Sequence, residues 1–274
     1  MARAQPGAPL EARVTIAAMP ELTPELLLIV LAAGLAGFVD AIVGGGGLVL
    51  LPALFAVYPT ALPAHLLGTN KAGAIWGTAF ATLQYARRVS VPWRTLLPAV
   101  VAALGGSFAG AWAVTMVSAG GLKRALPFVL AAMLAYTVAK KDLGRHHAPR
   151  WQGGREAAVA AAMAALLGFY DGFFGPGTGS LFVFAFVRLL GYDFLNASAS
   201  AKLLNTATNA AALTLFAWKG HVWWHLALPI AVANVGGSLL GIRLAFKHGT
   251  GFVRGVFIVV VGALILKTAY DAFV

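Results

Sequence analysis

Long apolar stretches follow one another along most of this chain, separated by short polar gaps. Between Glu25 and His65 the only charged residue is Asp40. A helix needs about 20 apolar residues to cross a bilayer, whereas β-barrel strands would alternate apolar and polar residues. The pattern predicts an all-α polytopic membrane protein with about 8–10 helical segments. These are expected at 25–43, 47–57, 67–86, 95–117, 122–140, 157–174, 178–190, 199–217, 226–245 and 253–272.

Composition supports this class and excludes others. The chain is 60% hydrophobic and 11% charged, against about 45–50% and 25% in soluble domains. The net charge of +11 comes from basic residues in the gaps between apolar runs, such as Arg87, Arg88 and Arg94. This distribution indicates the positive-inside rule, so no nucleic-acid partner is expected. Residues 1–22 are predicted to form a polar N-terminal tail and residues 142–155 a basic linker.

The chain repeats itself. Gly37-Phe38-x-Asp40 recurs as Gly168-Phe169-x-Asp171, an offset of 131 residues (171 minus 40). The same ungapped offset relates Lys71 to Lys202, Trp93 to Trp224, Pro98 to Pro229, and Gly105-Gly106-Ser107 to Gly236-Gly237-Ser238. We therefore predict two membrane repeats, 23–141 and 156–274. Each is expected to contain a Gly-broken or re-entrant helix pair plus three spanning helices. The odd number of crossings would make them inverted repeats, which hold substrate near the bilayer midplane.

Two glycine-rich segments occupy matching positions and are expected to interrupt helices. They comprise Gly44, Gly45, Gly46 and Gly47 in the first repeat and Gly175, Gly177, Thr178 and Gly179 in the second. The short helix after each break would present free N–H groups and a positive dipole end, which suits an anion. Close helix packing through small residues is the alternative, and it would also account for Gly105, Gly106, Gly110, Gly236, Gly237 and Gly241.

Lys71 and Lys202 are expected near helix N-terminal ends, where a cation opposes the helix dipole. A bound anion would offset both lysines, and snorkelling to the interface is the alternative. Asp40 and Asp171 precede the glycine segments and are either proton carriers or, as we favour, structural partners of the lysines.

Amide and hydroxyl groups accompany the lysines, at Thr69, Asn70, Ser200, Asn205 and Asn209. They would either bind an oxyanion or connect helices. His221 and His225, beside Trp218, Trp223 and Trp224, fit an aromatic interface belt and lack a third metal ligand. No catalytic nucleophile arrangement is present, so neither enzyme activity, nor a cofactor, nor a metal is expected.

The motifs at 37–47, 68–71, 168–180 and 201–205 resemble the sulfite exporter TauE/SafE family, especially its probable membrane transporter branch. The resemblance covers nearly the whole chain after the tail. It implies a multi-pass bacterial inner-membrane transporter of small sulfur oxyanions or organosulfonates, without ATP hydrolysis. The family's lysine and asparagine positions correspond to Asn70, Lys71, Lys202 and Asn205.

The expected function is secondary transport by alternating access around a central anion site. The expected partners are a small anion of the sulfite, thiosulfate or sulfonate class and the lipid bilayer, with a homo-oligomer left open. The alternatives are a non-transporting assembly or accessory protein and a transporter of another small anion, such as a carboxylate.

Overall fold

A computed structural model describes residues 23–116, 148–244 and 247, and in these ranges the regular structure is entirely helical. The helices are α1 (Pro24–Val43), α2 (Gly47–Val57), α3 (Pro63–Ala86), α4 (Trp93–Val114), α5 (Gly153–Phe173), α6 (Thr178–Ala185), α7 (Phe194–Trp218) and α8 (Trp224–Leu244). A π-helical segment (Phe186–Leu190) extends α6. The all-helical prediction is confirmed for this part of the chain. The tail 1–22, the predicted helices 122–140 and 253–272, and linker residues 142–147 lie outside the described residues.

Four of the described helices, α1, α4, α5 and α8, are long and apolar enough to cross a membrane. Helices α3 and α7 are longer still, at 24 and 25 residues, but they carry most of the buried polar side chains of the described chain. Both begin several residues before the predicted position. Pro63 occupies the first turn of α3, and the Asp193 carboxylate caps α7 by accepting the Asn196 amide at 2.8 Å.

Each glycine-broken helix pair folds back on itself as a hairpin. Helix α2 has 11 residues and is therefore about 16 Å long, roughly half of the hydrocarbon core. At its end, the pKa of Tyr58 is raised by burial and then by the charge of Glu25, so α2 returns towards the start of α1. Likewise Tyr192, just beyond α6, donates a hydrogen bond to Glu156 near the start of α5, at 2.5 Å.

Aromatic and histidine side chains gather where α2 ends and α8 begins. Tyr58 meets the edge of Trp223, with ring centroids 5.2 Å apart. His65 packs against His221 at 4.8 Å, and Trp223 stacks near His225 at 6.5 Å. Burial first, and then His65 and Lys219, lower the pKa of His221. In the described part of the chain, no three His, Asp or Glu side chains come together to hold a metal.

Glycines let two helix pairs pack at backbone distance. A Cβ atom on Gly237 of α8 would lie 1.8 Å from the Gly34 carbonyl oxygen of α1. A Cβ on Gly106 of α4 would lie 2.2 Å from the Ala165 carbonyl oxygen of α5. Gly110 and Gly241 have similar close neighbours, whereas a Cβ on Gly105 or on Gly236 would meet nothing within 4 Å. The packing interpretation therefore holds for four of the six helix glycines and not for Gly105 or Gly236.

Neighbouring glycines thus provide matched variants for a stability test. G106A and G237A should each lower the melting temperature in detergent, because the added methyl forces the paired helices apart and overpacking costs about 1–3 kcal/mol. G105A and G236A should be neutral or slightly stabilising, because alanine is the better helix former. Equal melting temperatures within each neighbouring pair of variants would contradict this account of the packing.

Candidate functional site

The two glycine breaks meet in the interior. Gly44 ends α1 with a φ of +79°, and its amide donates to the Asp40 carbonyl at 2.8 Å. Gly175 and Gly177 also have positive φ, at +91° and +74°, values that other L-residues adopt at a cost. The Ser180 amide donates to the Gly44 carbonyl at 3.0 Å, and a Cβ on Gly44 would lie 2.5 Å from the Gly179 backbone. A side chain at this contact would separate the hairpins.

A small cavity lies beside this contact. Its free volume is about 20 Å³, enough for roughly one water molecule. Most residues singled out from the sequence line it: Asp40, Gly44, Gly46, Gly47, Asn70, Lys71, Asp171, Gly175, Gly177, Thr178, Gly179, Asn205 and Asn209. The N-terminal ends of α2 and α6 both face it through Gly47 and Thr178. Seven helices (α1, α2, α3, α5, α6, α7 and α8) and two helix breaks therefore converge on one space.

Four of the candidates do not line the cavity: Gly45, Thr69, Ser200 and Lys202. The Thr69 hydroxyl accepts the Trp223 amide at 3.0 Å, which connects α3 to the loop before α8. The Ser200 hydroxyl donates to the Asn196 carbonyl one turn earlier in α7, at 2.8 Å. These two hydroxyls act as connections within the helix bundle. Lys202 lies behind the cavity wall, against Asp40.

Two buried ion pairs cross between the halves of the chain. Lys71 Nζ of α3 lies 2.6 Å from Asp171 Oδ2 of α5, and both side chains are 3% exposed or less. Lys202 Nζ of α7 lies 3.5 Å from Asp40 Oδ2 of α1 and also donates to the Asp40 carbonyl oxygen. The expected placement of both lysines at helix N-terminal ends is wrong. Because α3 and α7 begin at Pro63 and Phe194, each lysine lies in the third turn, where an aspartate supplies its counter-charge.

The two pairs differ in their hydrogen bonds. The Asp40 carboxylate accepts the Gly46 amide at 3.4 Å besides Lys202, and the Thr78 hydroxyl lies 3.1 Å from it, with its one hydrogen shared with the Ala74 carbonyl at 3.0 Å. The Asp171 carboxylate accepts Lys71, and no second donor to it is found among the described residues. Asp40 is therefore held by several donors, whereas Asp171 depends on one lysine.

Two polar residues of the cavity wall were missed from the sequence, Thr78 and Asn234. Thr78 stands at the repeat position of Asn209, so the offset of 131 residues contained that signal. Asn234 has no polar counterpart, because its repeat position is Ala103, and its only signal is a lone amide in an apolar helix. Its side-chain nitrogen donates to the Ala33 carbonyl at 3.2 Å. Its Oδ1 atom, like that of Asn70, is buried without a hydrogen-bond partner.

The site favours a small anion once the negative charge of Asp171 is removed, because Lys71 is then left without a counter-charge. Two helix N-termini contribute partial positive charge, and the amides of Gly46, Thr178 and Ser180 there already donate to Asp40, Gly175 and Gly44. Lys71 is the one lysine in the cavity wall, and it is already neutralised by Asp171. Asp40, Lys71, Asp171 and Lys202 are the buried charged residues of the described chain, and their formal charges cancel. The buried charged side chains around the cavity are therefore electrically balanced.

The Lys71–Asp171 pair can be tested by a double-mutant cycle. K71M alone and D171N alone should each destabilise the protein, by up to about 3–5 kcal/mol, because each leaves its partner buried and unpaired. The double variant K71M/D171N should recover most of that loss. Denaturant unfolding in detergent measures the three differences. Additive losses in the double variant would contradict a direct pair.

Comparison with known proteins now identifies the family. A sequence model described as "Sulfite exporter TauE/SafE" matches residues 29–268. "Probable membrane transporter protein ORF9" of Sinorhizobium sp is 36% identical over 247 residues, 90% of this chain and 93% of that protein. "Probable membrane transporter protein YfcA" of Escherichia coli K12 is 36% identical over 238 residues, 87% of each chain. A "Probable membrane transporter protein" of Haemophilus influenzae is 33% identical over 248 residues, 90% of this chain and 96% of that protein.

No solved structure matches the chain. The family match nevertheless runs from within α1 to beyond α8, and it includes both glycine breaks and both ion pairs. The four apolar spans agree with the membrane transporter names of the relatives. The chain therefore belongs to the sulfite exporter TauE/SafE family and is a multi-pass inner-membrane transporter.

Proposed function

We propose that the protein is a secondary transporter of small sulfur oxyanions or organosulfonates, and that it works by alternating access between two inverted repeats. The family description names sulfite export, whereas the relatives are named only as membrane transporters. The substrate class therefore rests on the family description together with the chemistry of the site. A sulfite or sulfonate group has several oxygens that accept hydrogen bonds and a negative charge that a lysine can balance.

The observation that carries the proposal is the convergence of two helix N-termini and Lys71 on one buried cavity. Helix N-termini favour anions through their free N–H groups and their dipoles. Broken helices that meet at a repeat interface are the usual substrate sites of secondary transporters. The side-chain amides of Asn205 and Asn209 add hydrogen-bond donors from the second half.

Contacts between the halves support the repeat, because they recur at the offset of 131 residues. The pair Lys71–Asp171 corresponds to Lys202–Asp40, the hydrogen bond Ser238–Gly77 (3.0 Å) to Ser107–Thr208 (2.7 Å), and the close approach of Gly237 to Gly34 to that of Gly106 to Ala165. Counting α1 to α4 and the predicted helix 122–140, each half has five crossings if the short helix spans the membrane and three if the hairpin returns to its starting side. Both numbers are odd, which would invert the second half relative to the first.

Alternating access is supported by the size of the cavity. About 20 Å³ accommodates roughly one water molecule, so a sulfur oxyanion enters only when the surrounding helices move. The contacts that cross between the halves next to the cavity include the two ion pairs, the Gly44–Gly179 backbone contact and the hydrogen bond from Asn234 to Ala33. Opening towards either side of the membrane must loosen some of these contacts, whereas the rest of each half can move as a unit.

A thermal-shift screen of the purified protein tests the substrate class. We expect stabilisation by sulfite, thiosulfate or a sulfonate beyond that given by sulfate or carboxylates, because a ligand that binds only the folded state stabilises it by mass action. Proteoliposome flux of the best ligand then tests transport. If a carboxylate stabilises the protein most, the proposed substrate class is wrong and the substrate is a carboxylate. A folded protein without flux of any oxyanion would favour an assembly or accessory role.

Lysine variants test the location of the site. K71A should weaken binding of the best ligand roughly 10- to 100-fold, since a charge-assisted hydrogen bond contributes about 1.5–3 kcal/mol. K219A is the matched control, because it removes the same charge from an exposed lysine that donates to Thr115. Unchanged affinity in both K71A and K202A would contradict the proposed location of the anion site.

A further inference from the structure

The charge balance of the interior suggests what must accompany the anion. The described chain buries two lysines and two aspartates around the cavity, and their formal charges sum to zero. An anion that entered alone would leave one uncompensated negative charge in a water-poor interior, which is strongly unfavourable. A positive charge must therefore arrive with it. We propose that Asp171 takes up one proton when an anion binds, so that the protein carries a monoanion and a proton together. This inference rests on the proposed function.

The hydrogen bonds identify Asp171, and not Asp40, as the proton acceptor. Asp40 accepts the Gly46 amide and the Thr78 hydroxyl in addition to Lys202. These donors favour the ionised form, and protonation would disrupt them. Asp171 holds only Lys71 in the described structure, at 2.6 Å, and both of these residues line the cavity. Protonation of Asp171 therefore breaks one interaction, the ion pair with Lys71, and Lys71 then pairs with the bound anion instead.

The space available favours a proton over a metal cation. A cavity of about 20 Å³ has no room for a hydrated cation beside an oxyanion, whereas a proton occupies none. The cavity wall also holds two amide oxygens, Asn70 Oδ1 and Asn234 Oδ1, that are buried without a donor. A protonated carboxyl group or a protonated ligand brings an O–H donor, which is what such acceptors lack.

The surroundings of Asp171 contain few other titratable groups. Lys71 on α3 pairs with it, Asp40 on α1 lines the same cavity, and Lys202 on α7 pairs with Asp40. Its chain neighbour Tyr170 donates its hydroxyl to the Pro176 carbonyl at 2.8 Å. The ionisable residues of α4 and of the α6 extension, Arg94 and Arg188, do not line the cavity. One carboxylate and one lysine thus form the unit that exchanges a proton and an anion.

Uptake of the proton and the anion also changes the contacts between the two halves of the chain. While Asp171 is ionised, it holds Lys71 and thereby fixes α3 to α5. Once Asp171 is protonated, Lys71 is free to pair with the anion, and the Lys202–Asp40 link remains. Proton and anion uptake together therefore weaken one of the two ionic contacts that close the cavity. Protonation of Asp171 alone, or anion binding alone, would leave an unbalanced charge in the interior.

Binding-coupled proton uptake by the wild-type protein tests the proposal directly. Methanesulfonate is added to the purified protein in weakly buffered detergent solution, because its charge is constant over the relevant pH range. We expect about one proton to be taken up per anion bound, and the affinity to strengthen about tenfold for each unit that the pH falls. In proteoliposomes, a pH gradient should drive accumulation, and a membrane potential should have little effect because the paired charges cancel.

The variant D171N separates this role from a structural one. Asparagine resembles the protonated aspartate, so a folded D171N should bind methanesulfonate without proton uptake, with an affinity that no longer changes with pH. E156Q is the matched control, since Glu156 lies in the same helix at the end remote from the cavity. It should retain the proton uptake.

Several results would overturn the proposal. Binding without proton uptake by the wild-type protein would refute it while leaving the proposed function intact, and a requirement for sodium would do the same. Loss of proton uptake in D40N, with D171N unaffected, would refute the assignment to Asp171. Failure of every anion in the thermal-shift screen to bind or cross the membrane would remove the proposed function and the coupling together.

Discussion

The crossed lysine–aspartate pairs impose the strongest constraint on this structure. Each half of the chain supplies an aspartate on its glycine-broken helix and a lysine on the long polar helix, and each lysine pairs with the aspartate of the other half. Four charges in a membrane interior are tolerable only as partners. The halves must therefore associate in the register that brings both pairs together. The hairpins, the buried polar faces of α3 and α7 and the central cavity are arranged around that requirement.

Glycine is what allows the halves to approach closely enough for these pairs to form. Between lipid-embedded helices there is no hydrophobic driving force, so association relies on close packing and on polar contacts. The glycines of α1 and α8, and those of α4 and α5, bring backbones into contact on the two sides of the site. At the centre, Gly44 rests on Gly179, and a larger residue there would move both helix N-termini away from the cavity. The packing distance and the chemistry of the site are thus set by the same residues.

Much of this arrangement was predictable from the sequence, because the deciding signals are local or repeated. Apolar runs gave most helix ends to within a few residues, and the ungapped repeat selected both lysines and both aspartates. The starts of α3 and α7 were missed, since Pro63 and the Asp193 cap extend these helices beyond their apolar cores. That error moved both lysines to helix ends and concealed their partners, which lie 100 and 162 residues away along the chain. No local pattern reports a contact of that range.

The features that the repeat could not reveal are those that distinguish one half from the other. Asn234 faces the cavity where the first repeat has Ala103, and Asn205 stands at the position of Ala74. Thr78 and Gly46 contact the Asp40 carboxylate, whereas Lys71 is the one donor to the Asp171 carboxylate among the described residues. On the proposed function, this difference leaves Lys71 as the lysine that an anion can reach, because Lys71 lines the cavity and Lys202 does not. The Lys202–Asp40 pair would then hold the halves together while the Lys71–Asp171 pair exchanges its partner.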